Sequence, residues 1–201
     1  MSALLIGLTG GIASGKSTVS GLLVKHGALL VDADQVARDV VELGQPALEM
    51  ISSFFGQAVL HEDGSLNRAA LGAIVFSDKD KLAKLESITH PAIRTRMLSM
   101  IKHYQEEQPN AIVVADIPLL YETNQTHLYE AIVVVYVPRE LQIERLVARN
   151  NITLDAAISR VDIQMDIELK RARADYIIDN SGSLEQTEKQ IIELIQRLVS
   201  V

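Results

Sequence analysis

Four short apolar runs punctuate the chain, at Ala3–Leu8, Ala28–Val31, Ala111–Ala115 and Ala131–Val137. Each is continuous rather than alternating, the pattern of a strand covered on both faces, as in a parallel sheet. A weaker fifth run, Tyr176–Ile178, leads into Asp179-Asn180-Ser181-Gly182, a strong turn signal. Between the runs, apolar residues recur at helical spacing over Ser17–His26, Arg139–Asn150, Leu154–Met165 and Leu184–Val199. Strands alternating with helices predict an α/β fold on a five-stranded parallel sheet with helices on both faces. The sequence contains no internal repeat and no low-complexity segment.

One connection breaks this rhythm. The segment from Gln35 to Asn110 joins the second strand to the third, where a crossover needs only about a dozen residues. Its spacing is helical over Gln35–Val41, Pro46–Phe55, Arg68–Phe76, Lys79–Ser87 and Pro91–Glu107, and the turn Glu62-Asp63-Gly64-Ser65 punctuates it. It is too long for a loop and too patterned for disorder, so it reads as a small helical insertion. Whether that insertion is functional or only added bulk stays open at this point.

Composition narrows the chemistry. The chain has 201 residues, 48% of them hydrophobic, enough for one full α/β core with room for the insertion. Its net charge of −7 and pI of about 5.2 lack the basic excess of a nucleic-acid surface. No cysteine is present, which excludes a disulfide framework, a thiolate metal site and a cysteine nucleophile. The first apolar run is too short for a signal sequence or a membrane span. A soluble, cytoplasmic monomer or weak homo-oligomer, without a nucleic-acid or membrane partner, is the expectation.

The strongest motif is Gly10-Gly11-Ile12-Ala13-Ser14-Gly15-Lys16-Ser17, which fits G-x-x-x-x-G-K-[ST] without a mismatch. It follows a predicted strand and opens a predicted helix, as a phosphate-binding loop requires. Glycines let the backbone curl until successive N–H groups point at phosphate oxygens, and the helix N-terminus adds partial positive charge. Lys16 is then expected to reach the β- and γ-phosphates of ATP or GTP, and the Ser17 hydroxyl to ligate Mg²⁺. A chance match somewhere in a chain of this length is on the order of one in a hundred, and the flanking strand and helix make it rarer.

Ligands of open α/β sheets sit beyond the carboxyl ends of the strands, and two strands here end in acid. The second delivers Asp32-Ala33-Asp34 and the third Asp116. Asp34 is the candidate base for an acceptor hydroxyl, with Asp32 or Asp116 supporting the metal. Asp34 could equally be the N-cap of the following helix. Arg145 and Arg149 lie four apart on one helix face, with Arg160 and Lys170 following. Like charges at that spacing cost a few tenths of a kcal/mol, which an anion between them would remove. The alternative is a solvated face with Glu140 and Glu144 as ion-pair partners. On the first reading, Arg139–Met165 forms a mobile lid that excludes water.

These motifs resemble those of the dephospho-coenzyme A kinases. The pattern T-G-G-I-x-S-G-K-S-T stands as Thr9 to Thr18, and D-A-D followed by A-R as Asp32-Ala33-Asp34 and Ala37-Arg38. The insertion carries Gly44-Gln45-Pro46-Ala47-Leu48, Asp63-Gly64-Ser65-Leu66-Asn67-Arg68 and His90-Pro91. D-[IV]-P-L-L-[FY]-E is matched by Asp116 to Glu122, the lid arginines by Arg145 and Arg149, and the late turn by Ala174 to Gly182. Asn67 stands where the family often has aspartate, and Asn150-Asn151 replaces a more acidic or glycine-containing turn.

The resemblance implies a P-loop kinase core over residues 1–34, 110–138 and 166–201, a helical coenzyme-binding domain over 35–109 and a lid over 139–165. It implies transfer of the γ-phosphoryl of ATP, with Mg²⁺, to the ribose 3′-hydroxyl of dephospho-coenzyme A. Gly11, Ile12, Ala13, Ser14, Gly15, Lys16, Ser17 and Thr18 would take the ATP phosphates, with Arg145 and Arg149 closing over them and Asn180 near the adenine. Thr9, Asp34, Arg38, Arg68, His90, Pro91, Asp116 and Leu119 would line the acceptor side. Arg68 could also be simply solvated, and Pro91 a proline opening a helix. Another small-molecule or nucleoside-monophosphate kinase is the alternative within this core. A GTP-binding switch is disfavoured, because no N-K-x-D run occurs in the sequence.

Overall fold

The computed structural model describes residues 3–199. The chain forms two compact units, one reaching Val31 and resuming at Tyr104, the other Asp32–His103.

The first unit is built on the sheet. Strands β1 (Leu4–Gly10), β2 (Leu29–Asp32), β3 (Ile112–Asp116), β4 (Ala131–Tyr136) and β5 (Tyr176–Asp179) lie in the order β2-β3-β1-β4-β5. β1 pairs in parallel with both β3 and β4, and β4 with β5, so β1 is central. Every residue of β3 and β4 is buried, as their unbroken apolar runs predict. β1 continues two residues past its apolar run, because Thr9 and Gly10 keep register with Val134 and Val135. A Cβ on Gly10 would stand 2.8 Å from the Val135 carbonyl and 2.6 Å from Ser14 Oγ, so glycine is required at this crossing point.

Helix α1 (Lys16–Lys25) and helix α9 (Leu184–Val199) pack on the sheet through Val19 and Leu23 and through Ile191 and Leu194, against Ile6, Leu8, Val133 and Val135. Helices α6 (Arg139–Asn150) and α7 (Leu154–Asp162) form a hairpin around Ile143, Leu146 and Ala157. Asn151 ends α6 in the left-handed region at φ 50°, a conformation that asparagine tolerates better than most residues. The helix expected to reach Met165 stops at Asp162. After a short linker comes α8 (Ile167–Ala172), whose N-cap Asp166 accepts from the Glu168 and Leu169 N–H groups. Six residues are too few to show a period, so α8 was not legible in the sequence.

The second unit holds α2 (Ala33–Asp39), α3 (Pro46–Phe55), α4 (Arg68–Val75) and most of α5 (Lys79–Glu107). Pro46 opens α3, where its missing N–H costs nothing. Asn67 caps α4 by accepting from the Ala70 N–H at 3.0 Å, a role aspartate fills equally well. The expected pair Lys79–Ser87 and Pro91–Glu107 is instead one helix with Pro91 inside it. Proline usually marks a helix start; here a single missing hydrogen bond is bridged by the turns on either side.

Among the described residues no helix is long and apolar enough to cross a membrane.

Candidate active site

The loop between β1 and α1 is shaped by contacts a side chain would destroy. Ala13 sits at φ 60° and Gly15 at φ 83°, both in the left-handed region. A Cβ on Gly11 would collide with the Gln142 side-chain amide, and one on Gly15 with the Asn180 side-chain amide. Ser14 N donates to Gly11 O at 3.1 Å, closing the bend. Gly15 supplies no side-chain cap to α1, and while Thr18 N donates to Gly15 O at 2.9 Å, the N–H groups ahead of it at the helix start have no side-chain cap competing with a ligand. Ser14 Oγ is buried and has no hydrogen-bond partner among the described residues. A backbone cradle, an uncapped helix end and an orphaned hydroxyl fit a phosphate chain.

Residues distant in sequence wall this cradle. Asn180, at the carboxyl end of β5, donates through Nδ2 to Ser14 O at 2.8 Å and accepts from Thr187 Oγ1 at 2.9 Å. Its own carbonyl accepts from Arg145 Nη2 at 2.9 Å, which brings that guanidinium to the cradle's edge. Gln142 is buried, with Nε2 donating to Val137 O at 3.1 Å, and Gln164 Oε1 accepts from Ile12 N at 2.7 Å. Lys16 is ion-paired with Asp116, the last residue of β3, which is only 2% exposed. Thr9, fully buried, donates to Pro118 O at 3.0 Å. Leu119 follows on the same stretch and is exposed, as are Ser17 and Thr18.

Arg145 and Arg149 diverge. Arg149 is exposed and donates through Nε to Asn150 Oδ1 at 2.9 Å. Lys170, read in the sequence as part of this basic row, is instead fully buried. Its ammonium meets Glu122 Oε1 at 2.8 Å and the carbonyls of Gly10 and Pro118 at 3.4 Å each. Burial opposes ionisation of Glu122, but the Lys170 ammonium and the Met165 N–H hold its carboxyl below the usual value. Nothing in the local sequence separates Lys170 from a solvated lysine, because its partners lie far along the chain.

The remaining expected residues belong to the second unit or its border. β2 stops at Asp32, whose Oδ1 accepts from the N–H groups of Asp34 and Gln35. Asp32 therefore caps α2, and Asp34 stands in its first turn, exposed. The alternative reading of Asp34 as the cap is corrected: β2 ends at Asp32, directly before the helix, which leaves that place to Asp32. Arg38 and Arg68 are joined by a hydrogen bond from Arg68 Nη2 to Arg38 O at 3.4 Å. His90 and Pro91 are exposed on α5. Among the described residues no three or more His, Cys, Asp or Glu side chains cluster as a metal cage.

A strand, a glycine-bent loop and a helix, with the loop lysine held by a strand-end carboxylate on a parallel sheet, define a P-loop kinase fold. The family model for dephospho-CoA kinase matches residues 4–186. A dephospho-CoA kinase of Carboxydothermus hydrogenoformans is 48% identical over 193 residues, covering 96% of this chain and 93% of the relative. That of Listeria innocua is 47% identical over 195 residues, covering 97% of both. Among solved structures, a Thermus thermophilus protein superposes with TM-score 0.83 at 33% identity, covering 98% of this chain and 99% of its own. The dephospho-CoA kinase from Campylobacter jejuni gives TM-score 0.69 at 32% identity, covering 96% of each. The chain belongs to the dephospho-CoA kinase family, whose members are ATP-dependent phosphotransferases.

Proposed function

We propose that this protein transfers the γ-phosphoryl group of ATP to the ribose 3′-hydroxyl of dephospho-coenzyme A. The observation that carries the reading is the phosphate cradle walled by Gln142 and Asn180 with Lys16 at its rim, in a chain of this family. The backbone of Gly11 to Thr18 binds the phosphates. Lys16 exchanges Asp116 for the β- and γ-phosphate oxygens. Arg145 lies beside Asn180 and the adenine end, and Arg149 closes over the phosphates as 139–165 acts as a lid.

On the acceptor side, the 3′-oxygen attacks the γ-phosphorus while the bond from γ-phosphorus to the bridging oxygen breaks and ADP leaves. Asp34 takes the hydroxyl proton. Arg38, Arg68, His90, Pro91 and Leu119 bind the coenzyme, with residues 35–109 as its domain, while Thr9, fully buried, contributes only by holding Pro118. Ser17, with Asp32 or Asp116, would hold Mg²⁺, whose chemistry is to neutralise phosphate charge. A magnesium ion bound largely by phosphates and water needs only one or two protein oxygens, so no carboxylate cage is required. A cytoplasmic monomer or weak homo-oligomer without nucleic-acid or membrane partners belongs to the same reading.

The test is ADP release with ATP, Mg²⁺ and dephospho-coenzyme A, run beside AMP, shikimate and a no-acceptor blank. Turnover is expected with dephospho-coenzyme A alone. Turnover confined to AMP or shikimate would overturn the acceptor, and hydrolysis in the blank alone would remove the transfer reaction. Asp34→Asn should lower kcat about a hundredfold or more. Near-wild-type turnover with unchanged acceptor affinity would sink the assignment of the base.

A further inference from the structure

Three connections converge on one buried ammonium. A lysine has three N–H donors and no acceptor, and Lys170 spends them on Glu122 Oε1, Gly10 O and Pro118 O. Gly10 is the first residue of the phosphate loop. Pro118 lies just beyond Asp116, the residue that holds Lys16. Pro118 O also accepts from Thr9, so the end of β1 and the exit of β3 are tied twice at the same carbonyl. Glu122 in turn accepts the Met165 N–H at 3.0 Å, from the linker between α7 and α8. The neighbouring linker residue, Gln164, accepts from Ile12 inside the loop.

We infer that Lys170, oriented by Glu122, is a positioning residue for phosphoryl transfer. Its ammonium sets the spacing between the mouth of the phosphate loop at Gly10 and the exit of β3 at Pro118, and Glu122 links that spacing to the linker that closes the α6–α7 segment. The inference rests on the phosphate loop being the ATP site. The physical ground is the cost of burying a charge: a fully enclosed ammonium is retained only where each donor is satisfied. These partners cannot drift apart without leaving it unsatisfied, so the pair acts as a rigid spacer. Lys170 touches neither substrate; it acts through the two carbonyls. Catalytic groups displaced by about 1 Å can lose roughly a hundredfold in rate, so the spacer's effect falls on ATP-dependent steps rather than on acceptor affinity.

The experiment uses the full chain with Lys170→Met, Glu122→Gln and the double variant, each followed by thermal unfolding and by steady-state kinetics well below its melting temperature. Lys170→Met is expected to lower kcat/KM for ATP about a hundredfold while KM for dephospho-coenzyme A stays within about twofold. Glu122→Gln should show a smaller loss of the same kind, and the double variant should be no worse than Lys170→Met, because the two residues act as a unit. A folded Lys170→Met with wild-type ATP kinetics would overturn the inference, as would losses in the two single variants that simply add. If Lys170→Met does not fold, Glu122→Gln decides, and normal ATP kinetics there overturns it. If the wild type binds a fluorescent ATP analogue but phosphorylates no dephospho-coenzyme A, the proposed function fails separately. The analogue's Kd then tests Lys170, and a value unchanged in the variants overturns its role.

Discussion

At Gly15, backbone and neighbours make the same demand. Its φ of 83° is left-handed, and the position of its missing Cβ is taken by the Asn180 amide. Alanine there costs about 1–2 kcal/mol for the backbone alone, and the methyl must displace an Asn180 that is bonded to Ser14, Thr187 and Arg145. Gly15→Ala is therefore expected to lower the melting temperature and weaken ATP binding at least about tenfold, as titration calorimetry would register. ATP affinity equal to wild type would mean the cradle is not where the phosphates sit. The motif glycines were legible because only glycine combines that φ with that crowding. Only the resemblance to the family puts Asn180 near the adenine, and the sequence around it reads as a turn. Its hydrogen bonds to the loop give the residue a local role that no spacing in the sequence encodes.

At the scale of elements, helix ends and interruptions decide more than helix content. α6 and α9 have the bounds their periodicity predicts, since both are long and strongly amphipathic. α5 does not. Pro91 in its interior removes one hydrogen bond and crowds the preceding turn, a cost near 3 kcal/mol in an unperturbed helix. A proline kept at such a cost in an exposed position agrees with the proposed contact of His90-Pro91 with the coenzyme. Pro91→Ala should therefore stabilise the protein by about 1–3 kcal/mol in urea unfolding while raising KM for dephospho-coenzyme A and leaving KM for ATP unchanged. A variant no more stable than wild type would contradict the strain, and one with unchanged KM would remove Pro91 from the acceptor site.

At the scale of the whole molecule, polar side chains tie α9 to the end of α1 and to the end of β5. Glu188 on α9 accepts from Lys25 at 2.7 Å and from His26 at 2.8 Å at the end of α1. The side-chain hydrogen bonds from Lys25 and His26 hold its carboxyl below the ordinary value of 4.5. A carboxylate whose folded pKa is depressed contributes stability above its unfolded pKa and loses it as pH falls through the folded one. The melting temperature of wild type should thus exceed that of Glu188→Gln at neutral pH, and the gap should close below about pH 4.5. A gap still undiminished at about pH 2 would show that the tie does not act through the ionised carboxyl.

The number of strands, their parallel setting, the phosphate loop and most helices were fixed by local pattern, because burial on both faces, helical period and turn chemistry act over a few residues. The order β2-β3-β1-β4-β5 was decided only by tertiary pairing, since the apolar runs are interchangeable as sequences. The same holds for Lys170 beneath a loop residue 160 positions away and for Asn180 against Ser14 across 166. A charge is read from composition, but whether it is solvated or buried depends on which distant carbonyls the fold brings within reach of it.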